Sequence, residues 1–187
     1  MLQKTSDKIS NWLYNSGVIS LDEIELYSYA VACLLMTAAP IFMVTCIGAF
    51  LHKLPEAFFL ILPFLTTRKY CGGYHAKTPQ VCFVSSLGIL ILFIELACYI
   101  DRLPLLIFLL AVSSISLIIN SPIDSISKRL CESDKKLYQK IAIRWIIAWD
   151  IISIVLTLSG AIYFAAYIVS GLLLCALLQL PCIIRKH

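Results

Sequence analysis

From Tyr27 to Leu51 the chain carries no charged side chain. At about 1.5 Å of rise per residue, a helix over that stretch outreaches the ~30 Å hydrocarbon core of a bilayer. Comparable apolar runs follow at Phe83–Ile100, Pro104–Ile119, Ile141–Leu158 and Ala161–Ile184. A shorter one, Ala57–Leu65, lies inside HKLPEAFFLILPFL and contains Pro63. With 60% hydrophobic residues, 14% charged residues and a mean hydropathy of +0.91, the chain cannot cover a water-facing globule. The sequence therefore predicts an all-α polytopic integral membrane protein with about six membrane segments. The second segment is short, and reads as either a strained crossing or a re-entrant hairpin.

Residues 1–19 are predicted to form an amphipathic interfacial helix and its exit. Leu2, Ile9, Trp12, Leu13 and Ser16 share one helical face, with Lys4, Asp7, Lys8 and Asn11 largely elsewhere. Gly17 is placed to stop that helix, and SLDE (Ser20 to Glu23) reads as a capping box opening the next. Residues 20–187 then form a single membrane-embedded domain. No cleavable signal peptide is expected, because residues 1–26 lack an uninterrupted apolar stretch. If both termini are cytoplasmic and all six segments cross, only Lys53 and Arg102 of the 15 Lys and Arg residues face outward. Arg144 sits at the inner end of the fifth segment, where it can snorkel to the interface. That asymmetry orients the chain in a cell membrane, with residues 66–82 and the polar loop 120–140 at the cytoplasmic face. No internal repeat supports an inverted-repeat transporter, and no basic–aromatic motif supports nucleic acid as a partner.

The polar stretch RKYCGGYHAKTPQVC, residues 68–82, is the chemical exception within this apolar chain. Of eight cysteines, Cys33, Cys46, Cys98, Cys175 and Cys182 lie in or beside apolar runs and read as small hydrophobes. Cys71, Cys82 and Cys131 sit among polar residues. Thr78 followed by Pro79 reads as a helix start, which puts Cys82 in a first turn, where the dipole and nearby cations favour a thiolate. His75 is seven residues earlier, about 10 Å along a straight helix, too far for proton transfer. Pro79 forces a bend between them, and Gly72-Gly73 adds a flexible point, so the imidazole can fold back as base for the thiol. Three readings stay open on this chemistry alone: a catalytic pair, a solvated connecting loop, or a metal site. Cys71, His75 and Cys82 supply three ligands, but structural zinc takes four.

The same stretch resembles the signature of the accessory gene regulator B (AgrB) family of bacterial membrane cysteine endopeptidases. The likeness rests on Arg68, Gly72-Gly73, His75-Ala76 and a cysteine seven after the histidine. NSPIDSISKRLCESDKKLYQK, residues 120–140, resembles the family's second cytoplasmic loop. The resemblance implies a precursor of the AgrD type as partner, Cys82 as nucleophile and His75 as base. It implies cleavage through an acyl-enzyme thioester and closure of a thiolactone or lactone quorum-sensing peptide. It also implies a homodimer in contact with membrane lipid, with no metal and no cofactor. Arg68, Lys69 and Lys77 are then candidates for binding an acidic precursor tail. Cys71 reads as a non-catalytic neighbour and Cys131 as a spectator. Glu95 and Asp150 interrupt apolar runs and are expected to pair, with each other or, for Asp150, with Arg144. A small transporter using those two acids is the rival function, and a metal-binding membrane scaffold the second.

Overall fold

A computed structural model describes residues 2–73, 79–100, 102–123 and 131–184, side chains at 2–3, 36–37, 39–40, 79–84, 87 and 132–133 excepted. All regular structure among these residues is helical, and each of the six expected segments is a helix. Contacts divide the chain into two units, residues 1–46 and 47–187.

In the first unit, α1 (Leu2–Asn15) ends where the sequence predicts. Gly17 has φ +71, and the Val18 and Gly17 amides bond back to the Leu13 and Tyr14 carbonyls at 3.1 and 2.9 Å. That pair of hydrogen bonds is a Schellman closure, which needs the left-handed geometry glycine adopts without strain. The Ser20 amide and hydroxyl both donate to Glu23 Oε2 at 2.9 Å. A 3-10 turn, Leu21–Glu23, then runs into α2 (Ile24–Phe50). The buried stripe of α1 is Ser6 and Ser10, with Ile9 and Leu13 half-buried, while Trp12 is 65% exposed. The expected apolar face is thus split. Small hydroxyls let α1 approach α2, where Ser28 donates to Asp7 Oδ1 at 2.6 Å, and Trp12 is left outward, as suits an interfacial aromatic.

The second unit holds α3 (Leu54–Cys71), α4 (Pro79–Ala97), α5 (Leu103–Asn120), α6 (Glu132–Leu158), α7 (Ile162–Leu177) and the short α8 (Leu180–Ile184). The second segment is one continuous helix rather than a hairpin. α3 runs 18 residues, about 27 Å, because Thr66 and Thr67 extend it past the apolar run. Their hydroxyls donate to the Leu62 and Pro63 carbonyls at 2.8 and 2.6 Å, so they travel in the helix without stranded polar groups. The polar segment 120–140 is not all loop either, since α6 begins at Glu132. Acids at 132 and 134 suit a helix N-terminus, and Lys136 and Lys140 follow at helical spacing. Among the described residues, Leu103–Asn120, Asp134–Leu158 and Ile162–Ile184 are each long and apolar enough to cross a membrane. Large apolar side chains such as Phe108, Ile119, Ile154 and Leu158 point outward, as lipid contact requires.

α7 is the axis of this unit, packed against α3, α4, α5 and α6. It is apolar all round and mostly buried, and its small residues Ala165, Ala166, Ser170, Gly171 and Ala176 let neighbours come close. At Gly171 a Cβ would overlap the Leu60 carbonyl oxygen of α3. α3 and α7 run in the same direction. Near their starts Tyr163 donates to Glu56 Oε1 at 3.0 Å, and at their ends Cys71 and Cys175 share the core. Lys53, before α3, meets Glu95, late in α4, at 2.8 Å, so α4 runs back and starts at the end where α3 finishes.

Candidate active site

The C-terminal ends of three parallel helices meet at one point. Gln179, just past α7, is fully buried and donates from Nε2 to the carbonyl of Cys71, the last residue of α3, at 3.1 Å. The same nitrogen lies 3.2 Å from Ser121 Oγ, one residue past α5. The Ile123 amide also donates to the Cys71 carbonyl, at 3.0 Å. A helix leaves its last four carbonyls without intrahelical partners, and this junction satisfies one of them twice.

Immediately beyond comes Gly72-Gly73. The Gly72 amide closes α3 onto the Arg68 carbonyl at 3.1 Å, and Arg68 Nη1 reaches forward to the Gly72 carbonyl at 2.8 Å. Both glycines have positive φ, +71 and +140. A Cβ on Gly72 would strike the Ile123 carbonyl, and one on Gly73 would occupy the place of the Arg68 guanidinium. The pair is therefore a fixed close approach of backbone to backbone and to arginine, not the loose point the sequence suggests.

Of the predicted site residues, Arg68 and Lys69 lie on the last turn of α3, just before this junction. α4 starts at Pro79, as predicted, so Cys82 lies in its first turn. The Cys82 side chain, together with all of His75, Lys77 and the Thr78 cap, lies outside the described residues. Lys69 is exposed near the end of α3, and its ammonium stands 5.6 Å from the Tyr70 ring centroid. Tyr70 packs on Tyr138 of α6, ring centroids 5.7 Å apart, which brings the first turns of α6 to the same end of the bundle. Lys136 and Lys140 on those turns are exposed, so the cations of two elements converge there. Cys71 is 0% exposed and part of the apolar core with Cys175.

The intramembrane acids are satisfied elsewhere and differently from expectation. Glu95 pairs with Lys53, which this contact holds protonated above its ordinary range. Asp150 accepts a 2.7 Å hydrogen bond from Ser114 of α5, while Arg144 is exposed. The two acids do not pair with each other, because Glu95 belongs to the far end of the bundle. Sequence reasoning missed Gln179, Ser121 and the capping role of Arg68. A lone amide inside the apolar run Ala161–Ile184 was the available signal, since an amide in such a run needs partners.

A family model described as Accessory gene regulator B (AgrB) matches residues 6–180, most of the chain and all of the junction above. The chain belongs to the AgrB family. No curated protein and no solved structure matches it. AgrB membership carries a role in autoinducer processing for agr quorum sensing, and the long apolar helices make it a membrane protein. In this AgrB chain Arg68 and the glycine pair are held together at the end of α3. Cys82 lies on the first turn of α4.

Proposed function

We propose that this chain is a membrane cysteine endopeptidase that removes the C-terminal tail of an AgrD-type precursor at the cytoplasmic face and promotes its cyclisation. Cys82 is the nucleophile and His75 its base. The Cys82 thiol gives its proton to the imidazole, and the sulfur bonds to the scissile carbonyl carbon. The C–N bond then breaks, the imidazolium returns the proton to the departing amine, and an acyl-enzyme thioester remains. An internal thiol or hydroxyl of the precursor gives its proton to the His75 imidazole and attacks that carbonyl, and the Cys82 sulfur leaves and takes the proton back as the ring closes. Thioester exchange with a thiol is close to even in energy, so the ring keeps the activation, provided water is excluded meanwhile. Holding the internal nucleophile near the carbonyl supplies the effective molarity.

The observation that carries this reading is the family match spanning the 68–82 stretch, together with Cys82 on the opening turn of α4. Burial of Cys71 in the apolar core counts against a trio of Cys71, His75 and Cys82 around a metal. The partners found for Glu95 and Asp150 likewise weaken a transporter built on them. Lys69 and Lys77, with Arg68 beside them, are proposed to receive the precursor's acidic tail, helped by Lys136 and Lys140. A homodimer is proposed from the family resemblance alone.

Co-expression with an acid-tailed precursor, followed by mass analysis of its fragments, tests the assignment. Cys82→Ala and His75→Ala should each abolish cleavage, and Cys71→Ala should leave most of it. Cleavage that survives Cys82→Ala but stops on changing Glu95 and Asp150 would transfer the function to the acids.

A further inference from the structure

We propose that Gln179 is a positioning residue for the Cys82–His75 pair, acting through the junction of Cys71, Ser121 and the glycine pair; this rests on the peptidase reading. The amide is fully buried where three helices end, and its nitrogen holds the carbonyl from which the 72–78 connection departs. Its orientation is fixed by chemistry: a carbonyl oxygen facing the Cys71 carbonyl would offer no donor, so Nε2 must point there. The second hydrogen bond, to Ser121 Oγ, ties the end of α5 to the same point.

Packing alone gives a poor account of an amide here. Gln179 Oε1 is buried with no hydrogen-bond partner among the described residues. A methionine of similar length would fill the volume without stranding an acceptor. What the amide adds is direction. With the Cys71 carbonyl held by Gln179 and the Gly72 carbonyl held by Arg68, two successive peptide planes are fixed three residues before His75 in the sequence. Gly73 then passes under the Leu178 carbonyl, which would lie only 3.0 Å from a Cβ there, so the residue before Gln179 lines the same exit. Release of one plane lets the direction in which the chain leaves Gly73 rotate, and a misplacement of about 1 Å at a reacting group is already costly to rate.

Alkylation of the full-length membrane protein by iodoacetamide, with each cysteine quantified by peptide mapping, tests this without any precursor. The wild-type protein should alkylate Cys82 with a pH midpoint below the ordinary cysteine value, and His75→Ala should raise that midpoint. Gln179→Met should shift the midpoint to the His75→Ala position and slow Cys82 alkylation at neutral pH at least tenfold, with Cys71 and Cys175 still protected. A wild-type midpoint in Gln179→Met, with those two thiols protected, overturns the positioning role and leaves the peptidase reading intact. Identical profiles for wild type and His75→Ala overturn the pair itself, and the proposal with it. If Gln179→Met exposes Cys71 and Cys175, Ser121→Ala carries the test, a raised midpoint supporting the proposal and an unchanged one overturning it.

Discussion

Gly73 combines φ +140 with the Arg68 guanidinium in the place of its missing Cβ. Gly73→Ala therefore has to strain the backbone, at about 1–3 kcal/mol, and expel Arg68 from the Gly72 carbonyl. Precursor cleavage should fall at least tenfold, measured in membranes at equal expression, while the helical content in circular dichroism stays near wild type. Gly171 has ordinary helical geometry and a different reason to exist, the Leu60 carbonyl against its Cα. Gly171→Ala should lower stability by roughly 1–3 kcal/mol through overpacking, seen as a lower unfolding midpoint in detergent. The sequence marked Gly72-Gly73 because two glycines beside a histidine stand out, but it read them as freedom. Their function as a contact depended on Ile123 and Leu178, residues fifty and more positions away, which no local pattern connects to them. Gln179 was hidden for the same reason: its partners come from the ends of two other helices.

At the scale of elements, the boundaries set by local chemistry were legible and those set by tertiary packing were not. Gly17 and the Ser20–Glu23 pair fixed the join between α1 and α2, because a Schellman turn and a capping carboxylate use only neighbouring residues. Pro79 fixed the start of α4 likewise. The extent of α3 was not legible: hydropathy fades after Leu65, yet Thr66 is held by Trp149 of α6 at 2.8 Å, a partner the sequence does not announce. The capping carboxylate yields a pH prediction. The Ser20 backbone N–H, chiefly, and the Ser20 hydroxyl hold Glu23 below its ordinary range. A lowered carboxylate pKa gives stabilisation that is complete above the unfolded value, near 4.3, and is lost as pH falls through the lower folded value. Amide exchange at Glu23 and Ile24, corrected for intrinsic rates, should therefore quicken in the wild type as the pH falls through that lower folded value. The Glu23→Gln protein should lack that step, and a step of equal size there would remove Glu23 from the cap.

The second unit has a polarity that its helices share. α3, α5 and α7 all finish at the Gln179 junction, beside the start of α4 and the basic first turns of α6, while Lys53, Glu95, Glu56 and Tyr163 gather at the other end. The charge asymmetry read from the sequence, which assumes that successive segments cross in alternation, leads to the expectation that the junction faces the cytoplasm. Native cysteines offer a test that leaves the fold intact. Cys98 is exposed at the Glu95 end, and Cys131 is exposed at the start of α6. In intact cells a membrane-impermeant maleimide should modify Cys98 and spare Cys131, and permeabilisation should make Cys131 reactive. The opposite labelling would invert the molecule and put Cys82 on the outer face. There it could not meet a precursor still on the side of its synthesis. The orientation is thus as much a condition of the chemistry as the distance between thiol and imidazole.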